Sequence, residues 1–288
     1  IDNPVLIFAG AGTGKTRVLT HKIAYLVQEK GYKPEEILAV TFTNKAAEEM
    51  RNRIHSILGN KSTFLNIGTF HSICARLLRK EITALGYNSD FAIYDTADQD
   101  MLIKSLINSM KLKTDGISPR AYRSSLSLYK CKLEEPENLA NNASTPFEKV
   151  LAELYPAYAK SLRENNAVDF GDLILFPLMI FNKNPKILEK YQSQFKYVLV
   201  DEYQDTNQPQ FELVKLLSGL HKRISVVGDD DQSIYGWRGA KVEHVNAFTE
   251  DFKDTEVVRL EQNYRSTNII LNAANALIGN NQDRLGKN

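Results

Sequence analysis

Short hydrophobic runs alternate with amphipathic segments along much of the chain. Five runs rich in valine, isoleucine and leucine predict β-strands, at residues 5–10, 37–42, 197–202, 224–229 and 255–260. Helical spacing of apolar positions predicts helices between them, at residues 17–28, 45–58, 72–85, 210–217 and 269–277. Strands that alternate with helices are typical of a parallel sheet covered on both faces, and such sheets bind ligands at the carboxyl ends of their strands. The pattern therefore predicts an α/β fold with its site at that edge.

The middle of the chain follows a different pattern. Between about residues 87 and 168 no convincing strand is visible, whereas apolar positions at helical spacing recur over residues 97–110 and 147–164. This pattern predicts an all-helical insertion that interrupts the α/β domain. The predicted boundaries are 87–168 for the insertion, and 1–86 and 169–278 for the two parts of the α/β domain.

Composition and cysteine usage place the chain among soluble globular proteins, with 43% hydrophobic and 25% charged residues. The longest apolar run, residues 173–181, is too short to span a bilayer, and no signal peptide is recognisable, so we expect no membrane partner. Cys74 and Cys131 lack metal-binding spacing. This favours a reducing compartment, hence a cytoplasmic protein, and argues against structural zinc.

The net charge of +1 neither suggests nor excludes a nucleic-acid partner, because a basic groove is compatible with a neutral protein. One local imbalance stands out. Residues 101–132 contain seven lysines and arginines against the single acid Asp115. A solvated helical surface is the simpler interpretation, and a phosphate-contacting patch is the alternative.

The segment AGAGTGKT at residues 9–16 lies between the first predicted strand and the first predicted helix. In that context glycines let backbone N–H groups converge on phosphate oxygens, lysine reaches the terminal phosphates and threonine ligates Mg²⁺. Ala9 stands where the first glycine of such a loop usually does, but the flanking strand and helix make coincidence the weaker explanation. We therefore predict nucleoside triphosphate binding by Gly10, Ala11, Gly12, Thr13, Gly14, Lys15 and Thr16.

Two adjacent carboxylates, Asp201 and Glu202, follow the strand-like run YVLV. Such a pair is compatible with surface charge, but a phosphate loop needs a carboxylate for its magnesium at the end of another strand. Asp201, together with Thr16, is suited to be a ligand of the metal ion. Glu202 is suited to act as the general base that holds the attacking water. Lys15 and Glu202 are accordingly predicted to be catalytic.

The segment GDDDQSIYGWRG at residues 228–239 begins where another core strand should end. The amide of Gln232 suits a terminal phosphate, because it both donates and accepts hydrogen bonds. Aromatic faces beside a cation are typical of single-stranded nucleic acid binding, which predicts contacts from Tyr235, Trp237 and Arg238. From the pattern alone, a core tryptophan that caps a turn is an equally good explanation. Under the first interpretation, this loop couples the binding of the nucleotide to the binding of the nucleic acid.

Three more segments follow predicted strands or lead into helices, and they are expected to lie at the same carboxyl edge of the sheet. TFTNK and GTFHS pass into helices, and their polar and aromatic residues suit phosphates and bases: Thr41, Phe42, Asn44, Thr69 and His71. Each of these signals is weak alone, because such residues are usually helix caps or structural.

The segment LEQNYRST follows the last predicted strand. Its Arg265 could stabilise charge on the terminal phosphate during catalysis, although a surface ion pair is the commoner role of a single arginine. Tyr264 and Arg17 suit the two faces of an adenine.

In their order along the chain, AGAGTGKT, TFTNKAAEEM, GTFHS, VDEYQDTN, VVGDDDQSIYGWRGA and LEQNYRS resemble the motifs of the UvrD/PcrA/Rep group of superfamily 1 DNA helicases. The resemblance covers nearly the whole chain. It implies a RecA-like P-loop NTPase domain with a parallel sheet, interrupted by a helical subdomain, that uses ATP and Mg²⁺. It also implies 3′ to 5′ translocation on single-stranded DNA, action at single/double-strand junctions, repair or replication proteins as partners, and association with the bacterial nucleoid.

Carried over by position, the resemblance assigns ATPase roles to Lys15, Thr16, Asp201, Glu202, Gln232 and Arg265. It assigns adenine stacking to Arg17 and Tyr264, and single-strand contacts to Phe42, His71, Tyr235, Trp237 and Arg238. Two family features are absent: the adenine-reading glutamine upstream of the P-loop, and the second RecA-like domain, of which residues 279–288 would be the truncated start. We therefore expect the chain alone to bind ATP and to hydrolyse it poorly.

Three alternatives stay open. They are the motor of a recombination helicase–nuclease, a nucleotide-switched binding module, and an unrelated P-loop enzyme such as a small-molecule kinase. An intact Glu202 argues against a switch without hydrolysis, and a kinase leaves Trp237 unexplained.

Overall fold

The computed structural model describes residues 2–278, except for the side chains of Asp230 and Arg238. The predicted start of a second domain at residues 279–288 lies outside this range. Within it, the backbone forms two compact units. The first comprises residues up to 73, residues 188–206 and residues from 214 onward, and the second comprises residues 74–187 and 207–213.

The first unit is built on a six-stranded parallel sheet. Its strands are β1 (Val5–Ala9), β2 (Ile37–Thr41), β3 (Asn66–Thr69), β6 (Tyr197–Val200), β7 (Ile224–Gly228) and β8 (Glu256–Leu260). The strand order is β3–β2–β6–β7–β1–β8, and every neighbouring pair is parallel. The four inner strands are buried along their whole length, which explains their continuous apolar runs. The predicted α/β fold with a parallel sheet is thus confirmed.

The strand β3 was not predicted, because its sequence lacks a hydrophobic run. Its sequence, NIGT, carries one large apolar side chain, yet it pairs with β2 in register from Asn66 opposite Leu38 to Thr69 opposite Thr41. As an edge strand it needs only one neighbour, and its position is fixed by that pairing rather than by its own composition. The opposite edge, β8, is largely exposed.

Helices flank these strands. Three of them lie close to their predicted positions: α1 (Lys15–Gln28), α2 (Asn44–Leu58) and α12 (Asn268–Ile278). A fourth, α11 (Glu243–Asp251), was not predicted. Three others contribute residues to both units: α3 (Phe70–Glu81), α9 (Pro185–Gln194) and α10 (Gln208–Ser218). The helix α2 begins where the Thr43 hydroxyl accepts a hydrogen bond from the Ala46 amide. Apolar side chains of α1 and α2, such as Ile23 and Met50, join the sheet in one core.

The second unit is mainly helical. Its helices are α4 (Thr96–Ser109), α5 (Pro119–Cys131), α6 (Pro136–Asn142), α7 (Pro146–Glu164) and α8 (Phe170–Lys183). Its core includes the fully buried Tyr122, Leu151 and Leu154. It extends further along the chain in both directions than the predicted insertion at 87–168. The apolar run that begins at Leu173 lies in α8, and none of the helices between residues 2 and 278 is long and apolar enough to cross a membrane.

The expectation of no strand in this region is wrong in one detail. Two-residue strands, β4 (Ala92–Ile93) and β5 (Ala167–Val168), form a parallel pair. The pair is too short to give a recognisable period in the sequence. It is stabilised by backbone hydrogen bonds at both ends, from Ala92 to Asn166 and from Tyr94 to Val168.

A buried ionic cluster stabilises the second unit. The Lys130 ammonium donates to Asp169 at 2.7 Å and to Asp172 at 2.6 Å, and the Tyr158 hydroxyl donates to Asp169 at 3.1 Å. Burial lowers the pKa of Lys130, but the two carboxylates outweigh it and raise that pKa above its ordinary value. Burial, followed by repulsion from Asp169, raises the pKa of Asp172. Because this ammonium is hydrogen-bonded to two carboxylates, its burial is compatible with a stable fold.

Replacing Lys130 by methionine should destabilise the fold by about 3–5 kcal/mol at neutral pH, because it leaves two buried carboxylates unpaired. Burial and mutual repulsion then raise both carboxyl pKa values above their unfolded values, so the variant gains stability as protons bind. We expect the deficit, measured by urea unfolding, to shrink from pH 8 to pH 5. Lys132→Met removes an exposed, 4.0 Å ion pair and is the matched control. Equal unfolding curves for the two variants would contradict this account.

Candidate active site

The loop at residues 10–14 connects β1 to α1 and has the backbone shape of a phosphate cradle. Gly12 and Gly14 have φ angles of 77° and 98°, in the left-handed region that glycine adopts without strain. The Thr13 hydroxyl donates to the Gly10 carbonyl at 2.8 Å and closes the turn. Ala9, at the position where a glycine was expected, is fully buried as the last residue of β1. The loop thereby ends at the amino terminus of α1, which favours anions.

Four predicted residues converge from β6 and from the start of α1. The Thr16 hydroxyl lies 3.4 Å from Asp201 Oδ2, and Lys15 Nζ lies 3.3 Å from Glu202 Oε2. Asp201 and Glu202 directly follow β6, which is separated from β1 in the sheet only by β7. The parallel arrangement brings the carboxyl ends of these strands to one edge.

The electrostatics of this cluster fit a phosphate and a divalent cation. The Lys15 ammonium is buried and forms no hydrogen bond among the described residues, because the Glu202 contact has ion-pair distance without hydrogen-bond alignment. Burial, and then repulsion from Glu202, raises the pKa of Asp201 to about 6. A phosphate would satisfy the ammonium, and a cation held by Thr16 and Asp201 would neutralise the carboxylate.

The loop after β7 places Gln232 beside this cluster. Its side-chain amide donates to Asp229 Oδ2, and its backbone N–H donates to the Asp229 carbonyl at 3.0 Å. Asp229 is buried at the end of β7 and in turn accepts a hydrogen bond from the Asp231 amide. The sequence analysis did not single out Asp229, because nothing in a run of three aspartates indicates which one is buried.

The segment with Tyr264 and Arg265 is attached directly to the phosphate loop. The Tyr264 N–H donates to the Gly12 carbonyl at 2.9 Å, and the side-chain amide of Asn263 donates to the Ala11 carbonyl. Asn263 Oδ1 also accepts from the backbone of Arg265 at 2.8 Å. Asn263 is thus a connecting residue that the sequence analysis missed, although asparagine two residues before a backbone donor is a turn signal. Tyr264 is exposed, as is Arg17 on α1.

The predicted contacts at the ends of β2 and β3 lie side by side but differ in exposure. The Phe42 and Phe70 rings meet edge to face at 5.5 Å. The Thr41 side chain is fully buried and donates to the Thr43 carbonyl, so it contributes to the fold rather than to the surface. Thr69 caps α3 by accepting from the Ser72 amide, while Asn44 is exposed and His71 is half-buried.

The exposure of Trp237 decides between the two interpretations of its loop. Its side chain is 70% exposed, and its ring centroid lies 6.4 Å from that of the half-buried Tyr235. A tryptophan that caps a turn in the core is therefore excluded, and an aromatic surface suited to stacking remains. The side chain of Arg238 lies outside the described part of the structure.

Comparisons with known proteins agree with this geometry. A family model described as the UvrD/REP helicase N-terminal domain matches residues 1–253. A protein named ATP-dependent DNA helicase PcrA from Bacillus subtilis is 48% identical over 287 residues, which cover 100% of this chain and 39% of that protein. Proteins of the same name from Staphylococcus epidermidis and Staphylococcus aureus are 46% and 44% identical over 286 residues, which are 99% of this chain. The chain spans about two fifths of the length of these relatives.

Gly12→Ala should displace the phosphate loop. A Cβ there would lie 2.6 Å from the Arg265 Cβ, and the left-handed φ costs a non-glycine residue about 1–2 kcal/mol. We expect affinity for a fluorescent adenine nucleotide to fall by roughly tenfold or more. Gly31→Ala is the control, because Gly31 has a φ of 70° and no atom within 4 Å of its added Cβ. Equal affinity in the two variants would contradict the prediction, because it would show that the collision at Gly12 does not disturb nucleotide binding.

Proposed function

The chain belongs to the UvrD/REP helicase family, and from this membership we propose that it is the ATP-binding motor part of an ATP-dependent DNA helicase. One observation carries the proposal. The cluster of Lys15, Thr16, Asp201 and Glu202 lies at one edge of a sheet whose next loop also presents the exposed Trp237. The family match supports the motor assignment, and the activity of a longer relative is extended to this chain as a proposal.

In this proposal the phosphate loop binds ATP. The loop N–H groups and the buried Lys15 ammonium hold the phosphate oxygens, while Tyr264 and Arg17 hold the adenine between them. Thr16 and Asp201 would hold Mg²⁺, which supplies positive charge to the terminal phosphates. Lys15 would exchange its ion pair with Glu202 for the phosphate, because the ammonium lacks an aligned acceptor among the described residues.

Hydrolysis then depends on three further side chains. Glu202, released from Lys15, holds the attacking water as general base. Gln232 contacts the terminal phosphate from the loop after β7, and Arg265 approaches from the segment attached to the phosphate loop. We expect turnover measured with residues 1–288 alone to be slow, because these residues span only about two fifths of the length of the relatives.

Single-stranded DNA is the proposed polymer. Trp237 and Tyr235 stack on bases, with help from Arg238, and Phe42, Asn44, Thr69 and His71 contact the strand at the ends of β2 and β3. Translocation from 3′ to 5′, action at duplex junctions, partners in repair or replication, and association with the nucleoid follow from the family and belong to the same proposal. A small-molecule kinase would leave the exposed Trp237 without a role.

Titration with oligo-dT tests the DNA part, because Trp237 is the sole tryptophan of the chain. We expect its fluorescence to be quenched and the quenching to change when a non-hydrolysable ATP analogue and Mg²⁺ are added. Stacking is worth about 1–3 kcal/mol per base, so Trp237→Ala should weaken binding of labelled oligo-dT by roughly tenfold. Phe64→Ala removes an equally exposed aromatic, at 71%, and should leave binding unchanged. Equal affinity of both variants and no quenching would refute the stacking role.

Glu202→Gln tests the hydrolytic part in the full-length gene product. We expect DNA-stimulated turnover to fall by roughly 10²–10⁴-fold, as for loss of a general base, while nucleotide binding persists. The control is Glu29→Gln, an exposed residue just beyond the other end of α1. Unchanged turnover in Glu202→Gln would favour the nucleotide-switched binding module.

A further inference from the structure

Gln204 is a buried glutamine whose two side-chain polar atoms both contact parts of the proposed site. The residue is 1% exposed and lies in the short turn Tyr203–Asp205 that follows β6. Its Nε2 donates to Glu202 Oε2 at 2.8 Å, and its Oε1 accepts from the Asp229 backbone N–H at 2.9 Å. The single amide therefore bridges the proposed general base and the end of β7.

The Glu202 carboxylate has few other constraints on its direction. Its backbone has a φ of 49°, in the left-handed region, which an L residue adopts only when its surroundings impose it. In the part of the chain that the structure describes, its carboxylate forms an ion pair with Lys15 and a hydrogen bond with Gln204. When Lys15 turns to a phosphate, the Gln204 hydrogen bond is the contact that continues to orient the carboxylate.

The same amide also supports the loop that carries Gln232 and Trp237. Gly228 leaves room for it, because a Cβ at that position would lie 3.1 Å from Gln204 Oε1. The Ser233 hydroxyl approaches the Gln204 carbonyl at 3.5 Å, and Asp205 forms a hydrogen bond with the backbone of Ile234. Asp229, held by Gln204, is itself hydrogen-bonded to Gln232. A continuous set of hydrogen bonds thus joins Glu202 to this loop.

We infer that Gln204 is a positioning residue that orients Glu202 for hydrolysis and transmits the state of the nucleotide site to the loop of Gln232 and Trp237. This inference rests on the proposed function, since it assigns Gln204 a part in the reaction proposed for Glu202. Adjacent contacts alone do not establish coupling between two sites, so the test measures the two ends of the amide separately.

Two variants separate the two hydrogen bonds. Gln204→Glu keeps an oxygen that accepts from Asp229, but loses the donor to Glu202 and puts two carboxylates in contact. Gln204→Met keeps the length of the side chain and loses both hydrogen bonds. Gln99→Met is the matched control, because Gln99 is a buried glutamine of the helical unit whose amide donates to the Tyr94 carbonyl.

The measurements are ATP turnover with oligo-dT in the full-length gene product, nucleotide affinity, and the Trp237 fluorescence change on nucleotide binding. For both Gln204 variants we expect kcat to fall about tenfold or more with KM for ATP within about threefold of the parent value. We expect the nucleotide-dependent Trp237 signal to survive in Gln204→Glu and to disappear in Gln204→Met. The control should lose stability alone, without a change in kcat or in the signal.

Turnover within twofold of the parent in both Gln204 variants, while Lys15→Ala abolishes it, would overturn the positioning role and leave the proposed function intact. Loss of stability matched by the control, with kcat unchanged, would do the same. If Gln204→Met does not fold, Gln204→Glu decides, because it retains the size of the side chain and the Asp229 hydrogen bond. A parent protein that neither binds nor hydrolyses ATP would refute the proposed function itself.

Discussion

The site depends on burying opposite charges at the carboxyl edge of the sheet without fully satisfying them. The Lys15 ammonium is buried and lacks an aligned hydrogen-bond acceptor among the described residues, and Asp201 is buried with a pKa raised to about 6. Each arrangement is unfavourable, because a charge removed from water needs compensating partners. The Lys15–Glu202 ion pair offsets part of the cost. The remainder favours any ligand that brings an anion to the ammonium and a cation to the carboxylate.

The sheet makes such an arrangement possible by fixing the positions of the strand ends. The inner strands β1, β2, β6 and β7 are buried on both sides and packed at high density, so their ends have little freedom. The loops that begin at these strand ends therefore start from fixed positions. Hydrogen bonds then connect segments far apart in sequence, such as that from the Tyr264 N–H to the Gly12 carbonyl. The proposed nucleotide, water and polymer contacts can therefore lie at one edge of the sheet.

The amino-acid sequence predicts those parts of the protein that depend on local pattern. Strands buried on both sides produce apolar runs, and five of the six strands of the sheet were predicted, whereas β3 was missed because its pairing partner, not its composition, defines it. The phosphate loop and the acidic pair after β6 are recognisable by motif. Gln204, Asp229 and Asn263 were not predicted, because their roles come from hydrogen bonds to residues placed nearby only by the fold. Exposure of Trp237 is likewise a property of the tertiary structure.

Two lysines with buried ammonium groups show how the same chemistry stabilises the fold in one place and is available to the proposed ligand in another. Lys130 donates to two carboxylates at 2.6–2.7 Å, and one of them also accepts from a tyrosine, so every strong interaction is made within the protein. A ligand would therefore not improve the interactions of the charges in this cluster. Among the described residues, the ion-pair partner of Lys15 is the poorly aligned Glu202, which has a left-handed backbone and is itself hydrogen-bonded to Gln204. An incompletely satisfied charge on a rigid sheet edge is therefore the feature that marks the proposed nucleotide site.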